Sequence, residues 1–365
     1  MPKHTDVETL RRWLDEKRPI TVLDVRSDDD REQWSIPGSI HINAYDALKA
    51  GVRSALSDAE LPPDRPIVTV CNLGKMSDRA ADELSRRGFE ALSLAGGMKA
   101  WSLSWNTAEI PIGNLRVTQI RRAGKGCLSY LISSGGEAMA LDASLAPEVY
   151  RSIADRLRVR ITHVVDTHIH ADHLSRSKQL AEAAGAELLL PAQHRVRFRH
   201  CPVDDGTVIE LGSAQVQAIR SPGHTMESTC FLAAGALFTG DTLFLSTVGR
   251  PDLSADSDQA RVRASLLYGS VKRLLALGGY VRVFPGHTSS PPPFDRVAIF
   301  DRLAVVSERL RGWFESEPAF VDRVLARIPP PPPNFARIVE LNESGDLPSE
   351  DPTDLEAGAN RCAVA

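Results

Sequence analysis

Residues 167–173 read THIHADH, and four of these seven residues carry groups that bind metals: His168, His170, Asp172 and His173. The segment directly follows an apolar run that ends in Val164 and Val165 and predicts a buried strand. The four side chains then lie on a loop at the carboxyl end of that strand, where they can be aimed at one point. Imidazole and carboxylate groups at this density are typical of a metal site.

Three further loops carry similar groups, each just after a predicted strand or turn. They are PGHT with His224, TGDTLF with Asp241 and a second PGHT with His287. Seven nitrogen and oxygen ligands therefore lie on four loops, which favours one shared metal centre. Five of the ten histidines belong to these motifs, whereas His163, His194 and His200 are interpreted as unrelated side chains.

This combination of loops resembles the metallo-β-lactamase superfamily over roughly residues 115–340. The resemblance implies an αββα sandwich with the metal site along one edge of the two packed sheets. The predicted elements agree with it, because paired short strands alternate with helices after residue 115.

Two metal schemes are open to this ligand set. The dinuclear scheme uses all seven residues: His168, His170 and His224 around one zinc ion, Asp172, His173 and His287 around the second, and Asp241 as the bridge. In the mononuclear scheme His168, His224 and Asp241 hold one iron(II) and leave three positions open for a substrate sulfur and dioxygen. The other four residues would then orient the ligands and bind water.

The surrounding sequence resembles the persulfide dioxygenase branch of this superfamily. The stretches that carry the resemblance are AGKGCLSYLI (123–132), SPGHTMEST (221–229), GDTLFLSTVGRPDL (240–253) and PPNFARIVELN (332–342). Glyoxalase II, a hydrolase relative, shares HxHxDH and GDTLF, but its usual histidine just after the GHT motif is replaced here by Glu227–Ser228. The resemblance implies one iron(II) per chain, held by His168, His224 and Asp241.

The same resemblance implies a reaction, the oxidation of glutathione persulfide, or of a similar small persulfide, to sulfite. Arg250 lies beside the Asp241 loop. A guanidinium there could pair with a substrate carboxylate, so Arg250 is a candidate substrate-binding residue.

A second reactive group is predicted in the first third of the chain. Residues 71–77, CNLGKMS, follow a predicted buried strand and precede a predicted helix. The sulfur of Cys71 then lies at a helix N-terminus, where free N–H groups and the helix dipole favour a thiolate. Lys75 adds positive charge to this loop.

Together with LDVR (23–26), IPGSIHI (36–42) and LAGGMKAW (94–101), this loop resembles a single rhodanese domain over about residues 5–106. The resemblance implies sulfur transfer through a Cys71 persulfide. The residues that would support the sulfur are Asn72, Gly74, Lys75 and Ser77. Two positions depart from the usual pattern: Met76 replaces an arginine, and Trp34–Ser35 replaces Gly-His.

The composition is that of an ordinary globular protein of two domains, with 365 residues, 42% hydrophobic and 25% charged. We predict a rhodanese-like α/β domain with a parallel sheet over residues 1–108 and a linker over 109–114. A metallo-β-lactamase sandwich is predicted over 115–345, followed by a disordered tail over 346–365.

Charge and cysteine content argue against other classes of protein. The net charge of −4 provides no basic field for a nucleic acid. Neither a signal peptide nor an apolar run of about 18 residues is visible, which argues against a membrane partner. Five scattered cysteines do not form a disulfide framework and favour a reducing cytoplasm.

These observations predict a cytoplasmic, bifunctional persulfide dioxygenase with a sulfurtransferase domain. Its expected partners are a small thiol or persulfide, dioxygen and the product sulfite, with a homo-oligomer left open. One alternative is a dinuclear zinc hydrolase of the glyoxalase II type that acts on a thioester. The other is a sulfur carrier or redox sensor, in which Cys71 accepts sulfur but His224 and Asp241 have no catalytic role.

Overall fold

The computed structural model describes residues 3–348, 351–358 and 360–364. Its strands are β1 (Lys3–Thr5), β2 (Thr21–Asp24), β3 (Ile40–His41), β4 (Ile67–Val70), β5 (Ala91–Leu94), β6 (Asn106–Ile112), β7 (Leu115–Arg121), β8 (Leu128–Ser134), β9 (Glu137–Leu141), β10 (Arg160–Val165), β11 (Glu187–Pro191), β12 (Cys201–Val203), β13 (Val208–Leu211), β14 (Ala214–Arg220), β15 (Thr229–Ala233), β16 (Ala236–Gly240), β17 (Arg282–Pro285) and β18 (Asp301–Arg302). Its helices are α1 (Val7–Asp15), α2 (Asp28–Gln33), α3 (Tyr45–Lys49), α4 (Lys75–Arg86), α5 (Gly97–Trp101), α6 (Pro147–Leu157), α7 (Ser177–Ala184), α8 (Ser257–Leu275), α9 (Leu303–Arg309), α10 (Glu317–Leu325), α11 (Phe335–Ser344) and α12 (Thr353–Glu356), with a 3-10 turn at Arg311–Trp313.

The first sheet is parallel and has the strand order β1-β5-β4-β2-β3. Strands β2 (TVLD) and β4 (IVTV) are buried at every position. Burial on both faces is expected of central parallel strands covered by helices. Leu84 of α4 packs with Leu23 and Ile67 of these strands in one apolar cluster. This arrangement confirms the predicted rhodanese-like α/β domain.

Two further sheets pack face to face and form the sandwich. Their strand orders are β12-β11-β10-β9-β8-β7-β6 and β13-β14-β15-β16-β17-β18 within the described residues. Tyr130, Phe238 and Phe284 meet between the sheets, with ring centroids 4.9–5.9 Å apart. Helices α6 and α7 cover the first of these sheets, and α8 and α10 cover the second. The predicted αββα order is therefore confirmed.

The linker predicted over residues 109–114 is wrong. Residues 106–112 form the edge strand β6, which pairs antiparallel with β7 from Asn106 opposite Arg121 to Ile112 opposite Leu115. Gly113 and Asn114 form the two-residue turn, and Gly113 has a left-handed φ of 58°. Pro111 is tolerated because an edge strand leaves one side of its backbone unpaired.

Where it describes the tail, the structure also differs from the disorder expected over residues 346–365; residues 349, 350, 359 and 365 lie outside the described part. We name residues 351–358 and 360–364 the tail segment. Its Glu356 is fully buried between two cations, at 2.6 Å from Arg122 and 3.0 Å from Arg176. Lys125 Nζ donates a hydrogen bond to the Glu356 carbonyl. A polar composition predicted disorder, but this carboxylate neutralises two arginines that the fold buries.

Replacing Glu356 by glutamine is expected to lower the free energy of unfolding by about 3–5 kcal/mol at neutral pH, because two buried cations lose their partner. Burial opposes the charge of Glu356, yet Arg122 and Arg176 hold the pKa of its carboxyl below the usual 4.5. A depressed pKa stabilises the fold above the unfolded-state value, and this contribution disappears as the pH falls through the folded-state value. The difference between wild type and Glu356→Gln should therefore shrink below a pH of about 4.5.

Urea denaturation at neutral and acidic pH measures this difference. Glu109→Gln is the matched control, because Glu109 pairs with a half-exposed Arg156 and its loss should cost at most about 1 kcal/mol. If both variants lose the same free energy of unfolding, the buried ion pairs of Glu356 do not stabilise the tail segment.

Candidate metal centre and thiol loop

The seven predicted metal ligands are brought together at one end of the sandwich. His168, His170, Asp172 and His173 follow β10, His224 follows β14, Asp241 follows β16 and His287 follows β17. All seven are buried. Strand ends place the loops side by side, as the sequence predicted, but the side chains fall into distinct groups.

The first group consists of His168, His224 and Asp241. Nε2 of His168 lies 3.8 Å from Asp241 Oδ2, and Nε2 of His224 lies 3.7 Å from the same oxygen. His168 Nε2 and Asp241 Oδ2 are buried without a hydrogen-bond partner in the described residues. Buried polar atoms rarely go unpaired. Ligand atoms bound about 2.1 Å from one ion lie roughly 3–3.6 Å apart, so these three atoms fit around a metal with a small adjustment.

Hydrogen bonds fix the orientation of both imidazoles in this group. Thr167 Oγ1 donates its proton to Asp142 Oδ2 at 3.0 Å, so it accepts from the Nδ1–H of His168 at 2.9 Å. The Nδ1–H of His224 donates to the carbonyl of Arg250 at 2.8 Å. Each ring then presents an unprotonated Nε2 to the centre, as metal binding requires.

Replacing Thr167 by valine is expected to weaken metal binding by about tenfold while the fold survives, because His168 loses its acceptor and its fixed tautomer. Equilibrium competition with a chelator measures the affinity. Thr118→Val is the matched control, since Thr118 is a buried threonine of β7 whose hydroxyl has no partner among the described residues. If both variants bind metal equally well, the hydrogen bond from His168 to Thr167 does not orient the ligand.

His170 belongs to a different group from His168. Its Nε2 lies 3.2 Å from Asp142 Oδ1 and 4.0 Å from Asp166 Oδ1. In the described part of the chain it joins no ligand group with His168 and His224, although its Nδ1 is unpartnered. The first half of the dinuclear scheme is therefore not assembled in this structure.

His287 links the two halves of the site. One ring nitrogen lies 2.6 Å from Asp241 Oδ1 and the other 3.0 Å from Asp172 Oδ2. Burial opposes its charge, but the two carboxylates raise the pKa of His287 well above its usual value. A protonated ring between two carboxylates holds Asp241 by one oxygen and leaves the other facing the centre.

Cys127 is a site residue that the sequence did not identify. Its Sγ lies 3.4 Å from Asp172 Oδ2 and 3.9 Å from His173 Nδ1, and with His287 these residues form a four-ligand group. Burial and Asp172 act against the thiolate, whereas His173 and His287 lower the pKa of Cys127 to about 6. Nothing in the spacing of AGKGC indicated this contact.

Cys362 was also missed, because it lies in the part of the chain expected to be disordered. It is fully buried, and ligand atoms of Asp241, His287 and Cys362 lie within 4.8 Å of one another. Burial, together with the charges of Asp172 and Asp241, raises the pKa of this thiol. The tail segment therefore reaches the metal ligands.

Arg250 has a different role from the one suggested by its position in the sequence. Its guanidinium is buried and forms two hydrogen bonds of 2.8 Å with the carboxylate of Asp252. It also donates to the carbonyls of Pro330 and Arg361. These contacts use the guanidinium to hold loops together, so it is not available to a substrate carboxylate.

The Cys71 loop places a backbone N–H and a hydroxyl beside the sulfur of Cys71. Gly74 has a left-handed φ of 99° and precedes α4, and its N–H donates to Cys71 Sγ at 3.2 Å. Ser77 Oγ lies 3.4 Å from the same sulfur. Asn72 instead donates to Asp30, and Lys75 is exposed at the start of the helix. Of the four predicted supporting residues, Gly74 and Ser77 contact the sulfur.

Trp34 connects the two halves of the chain. Its indole N–H donates to the carbonyl of Ala123 at 3.0 Å. A Cβ on Gly126 would lie 2.8 Å from the Trp34 ring, so the ring packs directly on this loop. The departure from the usual Gly-His thus places an aromatic anchor against the loop that carries Cys127.

Comparisons with known proteins agree with this arrangement. Residues 122–287 match the model of the metallo-beta-lactamase superfamily, and residues 6–104 match a rhodanese-like domain. A hydroxyacylglutathione hydrolase of Anaeromyxobacter dehalogenans is 33% identical over 254 residues, which cover 67% of this chain and 95% of that protein. The chain belongs to the metallo-beta-lactamase superfamily. A rhodanese-like domain precedes its metallo-beta-lactamase domain.

Other members of the superfamily match to different extents. A hydroxyacylglutathione hydrolase of Rhodospirillum rubrum is 34% identical, but the match spans only 59% of that protein. The crystal structure of ETHE1 from Myxococcus xanthus superposes with a TM-score of 0.55 at 26% identity, covering 63% of this chain and 98% of that one. A metallo-beta-lactamase from Staphylococcus aureus gives a TM-score of 0.59 at 25% identity, covering 64% and 75%.

Among the described helices of this superfamily member, none combines the length and apolar character needed to cross a bilayer.

Proposed function

We propose that the chain is a persulfide dioxygenase fused to a sulfurtransferase. One iron(II) per chain would be held by His168, His224 and Asp241, and glutathione persulfide or a similar small persulfide would be oxidised to sulfite. The observation that carries this proposal is the group of two imidazoles and one carboxylate, in which His168 Nε2 and Asp241 Oδ2 have no hydrogen-bond partner among the described residues. Two histidines and one carboxylate with open positions are typical of iron(II) oxygenases.

Iron(II) bound there would supply the redox and Lewis-acid chemistry that joins a thiolate sulfur to dioxygen. The chain supplies orientation. Thr167 and the Arg250 carbonyl hold the two imidazoles, and His287 holds the carboxylate of Asp241. The three ligands are at most 2% exposed, which keeps competing water and buffer anions from them.

The thiol half of the proposal concerns Cys71. Its thiolate attacks the outer sulfur of a donor, so that one S–S bond forms while the donor's bond to that sulfur breaks and the donor leaves with the electron pair. The Gly74 N–H, 3.2 Å from Sγ, is placed to stabilise the attacking thiolate of Cys71. An acceptor thiolate then takes the outer sulfur and regenerates Cys71.

Anaerobic loading with iron(II), followed by metal analysis and oxygen-uptake measurements with glutathione persulfide, tests the proposal. We expect one iron per chain and uptake that depends on the persulfide. Iron-loaded protein that consumes no oxygen would count against the dioxygenase, whatever its sulfurtransferase activity.

A dinuclear zinc hydrolase is the second candidate. It is supported by the 33% identity to a hydroxyacylglutathione hydrolase and by His170 Nδ1 and His173 Nε2, which are buried without a hydrogen-bond partner in the part of the chain that the structure describes. This candidate predicts two zinc ions per chain and hydrolysis of a hydroxyacylglutathione thioester. The dioxygenase predicts neither.

The proposed partners are small molecules: a thiol or persulfide, dioxygen and sulfite. We place the protein in the cytoplasm, because all five cysteines are free thiols and a reducing compartment preserves them.

A further inference from the structure

The ligand loop, which we define as residues 166–176, has an irregular backbone between β10 and α7. Buried peptide groups need hydrogen-bond partners, and several groups of this loop find them on side chains of other elements. The N–H of Thr167 donates to Asp142 Oδ1 at 2.7 Å, and the N–H of Ile169 donates to Glu227 Oε1 at 3.1 Å. Side chains from distant parts of the chain therefore hold the backbone that carries the ligands.

Asn342 of α11 makes three hydrogen bonds to this loop. Its Nδ2 donates to the carbonyl of His170 at 2.8 Å and to the carbonyl of His173 at 2.9 Å. Its Oδ1 accepts from the N–H of Ser175 at 2.8 Å. Two carbonyls and one N–H determine which way the amide is turned, because its nitrogen donates and its oxygen accepts. One side chain thus holds the peptide groups of two of the seven predicted ligands.

The packing of α11 determines where Asn342 lies. Ile338 and Leu341 are buried in one apolar cluster with Leu174, the residue after His173. Positions 338, 341 and 342 are spaced i, i+3 and i+4, so they share one face of the helix. The apolar pair therefore keeps the face that carries Asn342 against the ligand loop.

We propose that Asn342 is a positioning residue of the metal centre. Its amide holds the backbone at His170 and His173, and this keeps the ligand loop in the conformation that places His168 Nε2 3.8 Å from Asp241 Oδ2. Asn342 acts through the loop and is not itself a ligand. Partners that orient metal ligands typically change metal affinity by about 10–100-fold. The effect on affinity does not depend on the reaction, whereas an effect on oxygen uptake rests on the proposed function.

Asn342→Asp and Asn334→Asp form a matched pair of variants. Asn342→Asp keeps an acceptor for the N–H of Ser175 but removes both donors to the loop carbonyls. Asn334, at the start of α11, donates instead to the carbonyls of Asp354 and Leu355, at 3.4 and 3.2 Å. Both variants add one negative charge. Because that charge attracts a cation, a weaker metal affinity cannot come from the charge itself.

Cobalt(II) binding to the full chain is measured by competition with a chelator, together with the visible absorption bands of the bound ion, which report its coordination geometry. Asn342→Asp should bind cobalt at least about tenfold more weakly than wild type and show altered bands. Asn334→Asp should match wild type in both. A lower free energy of unfolding with unchanged cobalt affinity and bands in Asn342→Asp would show a purely structural role and overturn the proposal. An equal loss of affinity in Asn334→Asp would also overturn it.

Asn342→Leu covers the case in which Asn342→Asp does not fold. Leucine is similar in shape to asparagine, has a higher helix propensity and removes all three hydrogen bonds. Its affinity for cobalt should fall at least as far. A wild-type affinity in Asn342→Leu would overturn the proposal.

Failure of the proposed function is recognised separately. Weaker cobalt binding by Asn342→Asp, in a protein whose wild-type iron form consumes no oxygen, retains the positioning role and removes the dioxygenase. Oxygen uptake by wild type, together with unchanged cobalt binding by Asn342→Asp, retains the dioxygenase and removes the positioning role.

Discussion

Asp241→Asn is expected to reduce bound iron to background and to lower persulfide oxidation by more than about a hundredfold, since even the partners that orient a metal ligand cost 10–100-fold when removed. Asp241 Oδ2 is the common neighbour of the two imidazole nitrogens, at 3.7 and 3.8 Å. Asparagine can keep an oxygen towards His287, but it then turns an NH2 group, which donates hydrogen bonds, towards the metal.

The loss should be larger than that of a simple ligand change, because Asp241 Oδ1 also holds the ring of His287 at 2.6 Å. Metal analysis and oxygen uptake measure the two effects. Asp205→Asn is the matched control, since Asp205 pairs with Arg273 on the surface and should leave both quantities unchanged.

His170→Gln separates the two metal schemes in the same experiment. Under the mononuclear scheme the His170→Gln variant keeps one iron per chain, because His170 groups with Asp142 and Asp166 and not with the iron ligands. The dinuclear scheme expects metal to be lost. Iron retained by Asp241→Asn but lost from His170→Gln would contradict the proposed ligand set.

Cys71→Ser is expected to abolish sulfur transfer from thiosulfate to a thiol acceptor and to leave iron content unchanged. In the proposed mechanism the persulfide forms on the Cys71 sulfur, and the hydroxyl of serine is a weaker nucleophile that cannot form an S–S bond. Cys71 is buried in an apolar cluster of the first sheet and α4 whose members all lie between Leu23 and Ala91. The rate at which the acceptor's persulfide forms, or thiocyanate when cyanide is the acceptor, measures the loss of sulfur transfer.

Cys201→Ser is the matched control for Cys71→Ser. Cys201 is a partly exposed thiol on β12 that contacts Glu187, and its replacement should preserve the transfer rate. Sulfur transfer that survives in Cys71→Ser would remove the rhodanese-like domain from the proposed activity and leave the metal centre unaffected.

The sequence predicted the parts of the site whose positions depend on strand ends. HxHxDH, the two PGHT loops and TGDTLF each follow a strand, so a parallel arrangement of strand ends had to bring them together. Because the loops meet at one end of the sandwich, Asp241 lies beside the histidines and all seven side chains are buried.

The sequence could not predict contacts made between distant segments. Cys127 and Cys362 meet the ligand cluster through tertiary packing, and neither has a ligand-like spacing to THIHADH. Arg250 was assigned to substrate because it neighbours Asp241 in sequence, whereas Asp252 and two carbonyls hold it inside the fold.

Local composition misled the prediction in two places. Residues 109–114 contain proline, glycine and asparagine and were interpreted as a linker, but Gly113–Asn114 is a hairpin turn and Pro111 lies on an edge strand. The tail was expected to be disordered because its composition is polar. Composition does not show that the buried Arg122 and Arg176 need Glu356 as a counter-ion.

Strand β6 also dictates how the protein can be divided for biochemical work. A recombinant fragment that starts at residue 109 or later would lack the first half of β6 and expose the unpaired backbone of β7, which invites self-association. Fragments meant to isolate the metal-binding half should begin before Asn106, so that the hairpin remains whole. Such a fragment still uncovers the Ala123 carbonyl that Trp34 satisfies, and adding the missing half in trans would reveal whether the pieces reassemble.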